Sequence, residues 1–423
     1  MKLLLATLIF TIAGTGTQGY SGDGRLGTDG RLNHPRGIDV DLGGEVIWAE
    51  AFNDVVRSLD ARGTMRTAAG VGRPGFFGDG GPATRAGLNF AHGVAFLPTG
   101  GYLIADPFNQ RIRRVSRGGI IRTVAGGRGG FCGDGGRAVG ACLGTPRGIA
   151  AEKVRGGGFL IPDTDNRRIR RVRDGVIRTV AGPRGFRGPF AVSALEDGGF
   201  LVADAGAHLV RLVSRTGRVT RVAGTGRPGF SGDGGNAKRA RLNSPHGVFA
   251  LPDGSFLVAD TKNSRVRLVS KSGRITTVVG SSRRGFTGDG GPPTRARLNQ
   301  PKGVATTPDG GMVIADAEND AIRYVAPDRP RRLAVAVRGR IVRGRRGRAI
   351  GVPVVSTLDA TVRVTVLSSA GRAVRSVTAK ATAGRTAVEI PAGLGPGRRR
   401  LVVRARATGG RVSTARSTLL VTG

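Results

Sequence analysis

The sequence predicts an all-β chain: a six-bladed β-propeller over residues 1–330, then a small Ig-like β-sandwich over residues 331–423. Three observations carry this. A Gly-rich block recurs along the first three quarters of the chain, short strands ending in an acid recur every 56 or 57 residues save for one step of 41, and the repeat stops at Arg331. Composition agrees, because 73 Gly with only 5% aromatic residues fits many short strands joined by tight turns.

The block reads GRPGFSGDGGNAKRARLNSPHGV from Gly226 to Val248. Close copies begin at Gly72 and Ser282, and looser ones are TQGYSGDGRLGTDGRLNHPRGI and GRGGFCGDGGRAVGACLGTPRGI. Its aspartates are Asp23, Asp79, Asp134, Asp233 and Asp289, with one copy missing between Asp134 and Asp233. A second marker fills that gap: strands such as GGYLIAD and GSFLVAD end at Glu50, Asp106, Asp163, Asp204, Asp260 and Asp316. Six units result, and the fourth is short because it lacks the GDGG insert. Each unit reads as four strands; in the fifth they are GVFALP, SFLVAD, SRVRLVS and RITTVVG, with PDG and KNS as turns. Four strands in a repeat of this length describe a propeller blade.

The pattern ADxxNxRIR followed by TVAG resembles the NHL repeat family. The GDGG insert is similar to that of bacterial secreted NHL proteins and of the teneurin propeller. The resemblance covers residues 8–326 and implies the fold rather than an activity.

The sixth unit runs from AIRYVA into PDRPRR without its TVAG strand. The matching segment is Leu8–Gly14 (LIFTIAG), so the N-terminus is expected to close the last blade. The same region, Lys2 followed by LLLATLIFTIA, also reads as a secretory signal with a cleavage site near Ala13. Cleavage there would remove the closing strand, so either the segment is retained or the true start lies upstream of Met1. No run of about eighteen apolar residues is present, so no ordinary membrane-spanning helix is expected.

Beyond the Pro327–Pro330 linker, seven short alternating runs suggest the Ig-like sandwich. Within it, Arg343–Arg348 (RGRRGR) reads as a solvated loop. The net charge of +38 indicates an anionic partner, such as an acidic cell-envelope polymer, or else a compositional preference for Arg.

The residue before the inner-strand Gly is Arg36, His92, Arg147, His246 or Lys302 in five units, whereas the fourth has GPF at Gly188–Phe190. These five are the expected ligand-binding residues at the channel mouth, where converging positive charge favours an anion. His92 and His246 are expected to face each other across the channel. Some related propellers, such as peptide-amidating lyases, hold zinc on channel histidines. Here His34 is out of register and His208 begins a third strand, so no metal site is expected. The GDGG aspartates lack the oxygens that calcium needs and read as turn residues accepting backbone N–H bonds. The strand-ending acids are expected to fix the following turn, with Asn109, Asn166 and Asn263 in the left-handed conformation. Cys132 and Cys142 replace the equivalents of Ser231 and Arg241 inside one insert, and are expected to form a disulfide.

No GxSxG, Walker loop or HExxH motif appears. The expected function is an exported, non-enzymatic binding or scaffold protein, without cofactor, whose loop-decorated face takes a protein or glycan. A lyase or hydrolase at the channel mouth, or nucleic-acid and polyanion binding, are the alternatives; an exported, disulfide-bearing chain argues against nucleic acid.

Overall fold

The computed structural model describes residues 8–152 and 157–327, and beyond them 335–337, 341–345, 350–356, 360–368, 373–381, 384–390, 397–407 and 412–422. The chain divides into two compact units. One holds Thr11–Gly288 and Pro293–Val325; the other holds Ala326–Gly423, Asp289–Pro292 and the segment that ends at Phe10.

Six antiparallel sheets succeed one another up to Val325. In the fifth, Gly247–Ala250, Phe256–Asp260, Arg265–Val269 and Ile275–Val279 follow in order, with Val248 opposite Val258 and Val258 opposite Arg267. The innermost strands touch in sequence, and the last, Pro301–Thr306, returns to the first, Pro35–Val40, so the ring is closed. Ile9–Ala13 is the outermost strand of the sheet formed with Ala321–Val325, Met312–Asp316 and Pro301–Thr306. The core lies between adjacent sheets, where the fully buried alanines of the second strands, including Ala49, Ala105, Ala259 and Ala315, let neighbours approach closely. Ala13, Leu32, Trp48, Met65 and Ile322 form one such layer.

The second sheet has a fifth strand, Val139–Cys142, running parallel to Ile121–Arg128. It belongs to the insert closed by the Cys132–Cys142 bond, whose Cα atoms are 4.7 Å apart. The other four inserts instead carry a short 3-10 turn, as at Ala83–Arg85 and Ala237–Arg239.

The turn after each second strand differs from expectation. Asn109 lies within a 3-10 turn, and the next residue, Gln110, is left-handed at φ 51°. Asn166 and Asn263 likewise precede the left-handed Arg167 and Ser264. The Asn side chain instead ties the turn to the insert, with Asn109 Nδ2 donating to Asp106 Oδ2 and to the carbonyl of Gly75.

The GDGG aspartates reach beyond their own turns to the sheet, as where Asp79 Oδ2 accepts from the N–H and the hydroxyl of Thr123. Arg113, fully buried, bridges Asp79 at 2.7 Å and Asp106 at 3.4 Å. Arg57, Arg170 and Arg267 bridge Asp23 and Glu50, Asp134 and Asp163, and Asp233 and Asp260 in the same manner. An insert aromatic ring caps each guanidinium, as Phe76 does for Arg113 at 5.0 Å and Phe230 for Arg267 at 4.8 Å. The fourth unit has no insert. Its Arg211 meets only Asp204, at 2.9 Å, and is 21% exposed.

The second unit contains two sheets. Val335–Val337, Ile350–Ser356 and Gly384–Ile390 form one; Ile341–Arg345, Val412–Thr422, Gly397–Ala407, Ala360–Leu367 and Ala373–Ala381 form the other. Arg343–Arg345 therefore end a strand, paired parallel to Val412–Thr422, rather than a loop, because Ile341 and Val342 begin a β-branched run that the charges mask in the sequence. Residues 346–348, 328–330 of the linker, and 1–7 of the signal-like segment lie outside the described residues.

Two outcomes test this architecture. Removing residues 1–13 deletes the buried Ile9 and Phe10 and should lower Tm by roughly 5–10 °C; an unchanged Tm would refute closure by this strand. Arg113→Ala leaves two carboxylates facing one another and should cost about 3–5 kcal/mol in denaturant unfolding, whereas Arg211→Ala, partly solvated and singly paired, should cost clearly less. Equal losses would show that the bridge carries no special weight.

Candidate functional site

Arg36, His92, Arg147, His246 and Lys302 all line one cavity of about 660 Å³ at the centre of the ring. Their convergence follows from the glycine after each. Gly37 N donates to the carbonyl of His92 at 2.8 Å, and a Cβ on Gly37 would stand 2.6 Å from that oxygen. Gly303 faces the carbonyl of Arg36 in the same way, at 2.3 Å, and Gly247 that of Lys302, at 2.5 Å. Only glycine permits this approach, so neighbouring inner strands begin in contact and project their preceding side chains into one mouth.

In the fourth unit Phe190 occupies the corresponding place. Its ring stands 6.1 Å from that of His92 and 4.3 Å from that of His246. The two histidines therefore do not face each other across open space; both pack on Phe190, which fills the sector without a charge. Arg147 also lies over this ring, at 4.8 Å.

Burial and mutual repulsion govern the titration of the group. Burial, then Arg36, brings Lys302 down to about 8. Burial, then Arg147, brings Arg36 down to about 10. His92 and His246 are held well below the ordinary histidine range, His92 by burial and then Arg36, and His246 by burial and then Lys302. Arg36 Nη1 lies 3.4 Å from His92 Nε2; a guanidinium can only donate, so Nε2 accepts and the imidazole is neutral. Among the described residues no carboxylate forms an ion pair with Arg36, Arg147 or Lys302. Glu318, which acts on Arg36 and Lys302 from a distance, is engaged by His34 Nε2 at 3.1 Å.

The remaining two histidines do not line the cavity: His34 engages Glu318, and His208 Nδ1 accepts from the Ser244 N–H at 3.0 Å. Among the described residues, no group of three His, Cys, Asp or Glu side chains is placed to hold a metal. No helix among them is long and apolar enough to cross a membrane.

A closed ring of four-stranded sheets about a central cavity defines a β-propeller. The NHL repeat model matches residues 242–267, and the chain is similar in sequence to several teneurins. Mouse teneurin-1 is 26% identical over 286 residues, 62% of this chain, and human teneurin-4 is 30% identical over 241 residues, 47% of it. The chain spans only 9% and 8% of those relatives. Among solved structures, an auxiliary nutrient binding protein from Bacteroides ovatus shares the fold at 17% identity and a TM-score of 0.59, covering 77% of this chain and 78% of that one. A Bacteroides thetaiotaomicron protein of unknown function does so at 18% identity and 0.58, covering 76% of each.

The basic mouth predicts a measurable titration. Lys302 should react with an acylating reagent with a midpoint near pH 8, and Arg36→Gln should move that midpoint upward by removing a repelling charge. A midpoint at the ordinary lysine value, unmoved by the substitution, would contradict the clustering.

Proposed function

We propose that the chain is an extracytoplasmic, non-enzymatic binding protein whose propeller mouth holds an anionic group of a protein or glycan. One observation carries the reading: Arg36, Arg147 and Lys302 are brought together, largely dehydrated, and among the described residues no carboxylate forms an ion pair with them, Glu318 and Asp165 acting only from a distance. Such an arrangement raises the free energy of the empty protein and is relieved by an anion. The resemblance to a nutrient binding protein supports a binding role through the fold alone. The Cys132–Cys142 bond supports a location outside the reducing cytosol. The basic segment from Arg331, read as an Ig-like sandwich, would add non-specific attraction to an acidic envelope polymer.

An enzymatic reading rests on Lys302, whose amine is partly unprotonated near neutral pH and so fit for proton transfer. Turnover of any ligand found would favour it.

Calorimetric titration with citrate is the test. Arg36→Gln, Arg147→Gln and Lys302→Gln together should weaken binding at least about tenfold, with fold checked by circular dichroism. In the native protein affinity should fall as pH rises through about 8, because Lys302 loses its proton there. Binding that is indifferent to both the substitutions and pH would refute the assignment.

A further inference from the structure

Next to the basic residues, outside the cavity lining, lies a second set of equivalent repeat positions, and it is not uniform. The residue two before each basic group is Phe90 in the second unit, but His34, Thr145, Ser244 and Gln300 in the others. The residue before the turn Asn is Phe52 in the first unit and Phe108 in the second, but Asp165, Lys262 and Glu318 in the third, fifth and sixth. Three phenyl rings thus gather on one side. Phe90 and Phe108 are stacked with centroids 4.6 Å apart and planes at 8°, and Phe52 meets Phe90 edge-on at 5.5 Å.

Packing does not account for this cluster. Phe52 and Phe108 are each 50% exposed. Phe90 has φ 63°, a left-handed conformation that a bulky side chain adopts only under strain. At the same left-handed position the other units use His34, Thr145, Ser244 and Gln300. The left-handed turn is therefore common to the repeat, and the exception in the second unit is the phenyl group itself, which supports two exposed rings. It adjoins the charge: the Arg36 guanidinium lies 4.7 Å from the Phe90 centroid and 5.7 Å from that of Phe52.

We propose that the mouth takes an acidic glycan of the uronate class, with the carboxylate on Arg36, Arg147 and Lys302, one pyranose face laid on Phe52 and the edge of that sugar turned to Phe108. The inference rests on the anion-binding reading above and adds the ligand's chemistry. In a uronate the carboxylate is bonded directly to the ring, so charge and stacking face need partners within one ring's width, and the Arg36 guanidinium lies 5.7 Å from the Phe52 centroid. Citrate or phosphate would leave the shelf uncovered. A nucleotide sets its sugar between base and phosphate and separates the two features too far. The equivalent positions of the third, fifth and sixth units, Thr145, Ser244 and Gln300, offer polar groups to the outward hydroxyls of a sugar rather than a second apolar wall.

The test titrates the full chain with trigalacturonate, a hyaluronan tetrasaccharide, citrate and a short oligouridylate. At least one uronide should bind more tightly than citrate. Phe52→Ala with Phe108→Ala, with the fold checked by circular dichroism, should weaken that uronide by roughly tenfold while changing citrate by less than about twofold. Uronides no tighter than citrate, or unaffected by the shelf substitutions, would overturn the proposal and leave the anion-binding mouth standing. Oligouridylate binding more tightly than either uronide would overturn it in favour of stacked bases. Failure of citrate and every other probe to bind would remove the anion-binding reading as well.

Discussion

The buried guanidinium at the heart of each complete unit is the constraint on which the rest of the structure depends. Arg113 joins the insert to the sheet through Asp79 and Asp106, and the second acid continues the connection toward the mouth. Asp106 Oδ1 accepts from the N–H of Asn89, three residues before His92. Asp260 holds Asn243 before His246, and Asp316 holds Asn299 before Lys302, in the same manner. The mouth is therefore set by hydrogen bonds to carboxylates that are themselves locked by arginine. Burial still outweighs these attractions, pushing Asp106, Asp260 and Asp316 up to about 6. The bridges thus offset part of the cost of taking these charges out of water.

Much of this architecture was legible in the sequence because its signals are punctuational. Gly-Asp-Gly, the acid at a strand end and the missing TVAG strand each mark a position that only a few residue types can fill, and the repeat supplies independent copies. The arginine bridge is equally periodic, since Arg57, Arg113, Arg170, Arg211, Arg267 and Arg323 each follow their acid at one fixed distance. It was not legible as a bridge because an arginine on a strand reads as a solvent-facing residue, and burial of a charge is decided by an insert distant in sequence. The left-handed turn position was displaced by one residue for a related reason: Asn109 is held by its tertiary bonds to Asp106 and Gly75, which override its local preference.

The five basic positions were recoverable from register alone, but their environment was not. Phe190 sits in register with them, and it places His92 and His246 on one aromatic ring. The fourth unit thus departs from the repeat twice, losing its insert and replacing a charge by a phenyl group. The aromatic platform on the first two units is a further departure. A nearly sixfold scaffold acquires an oriented mouth through such exceptions, with an apolar side, a polar side and one uncharged sector.

The position of Ile9–Ala13 has a consequence for synthesis. This strand joins the sheet that ends at Val325, so its partner emerges from the ribosome only after nearly the whole ring has been made. At roughly 5–20 residues per second the interval is on the order of fifteen seconds to a minute. Throughout it the sixth sheet is absent and the nascent ring has two open flanks, each offering unpaired backbone to other chains. Folding of this chain is therefore a late event, completed by a contact of very high sequence separation, and shielding of the first strand until then falls to whatever binds the growing polypeptide.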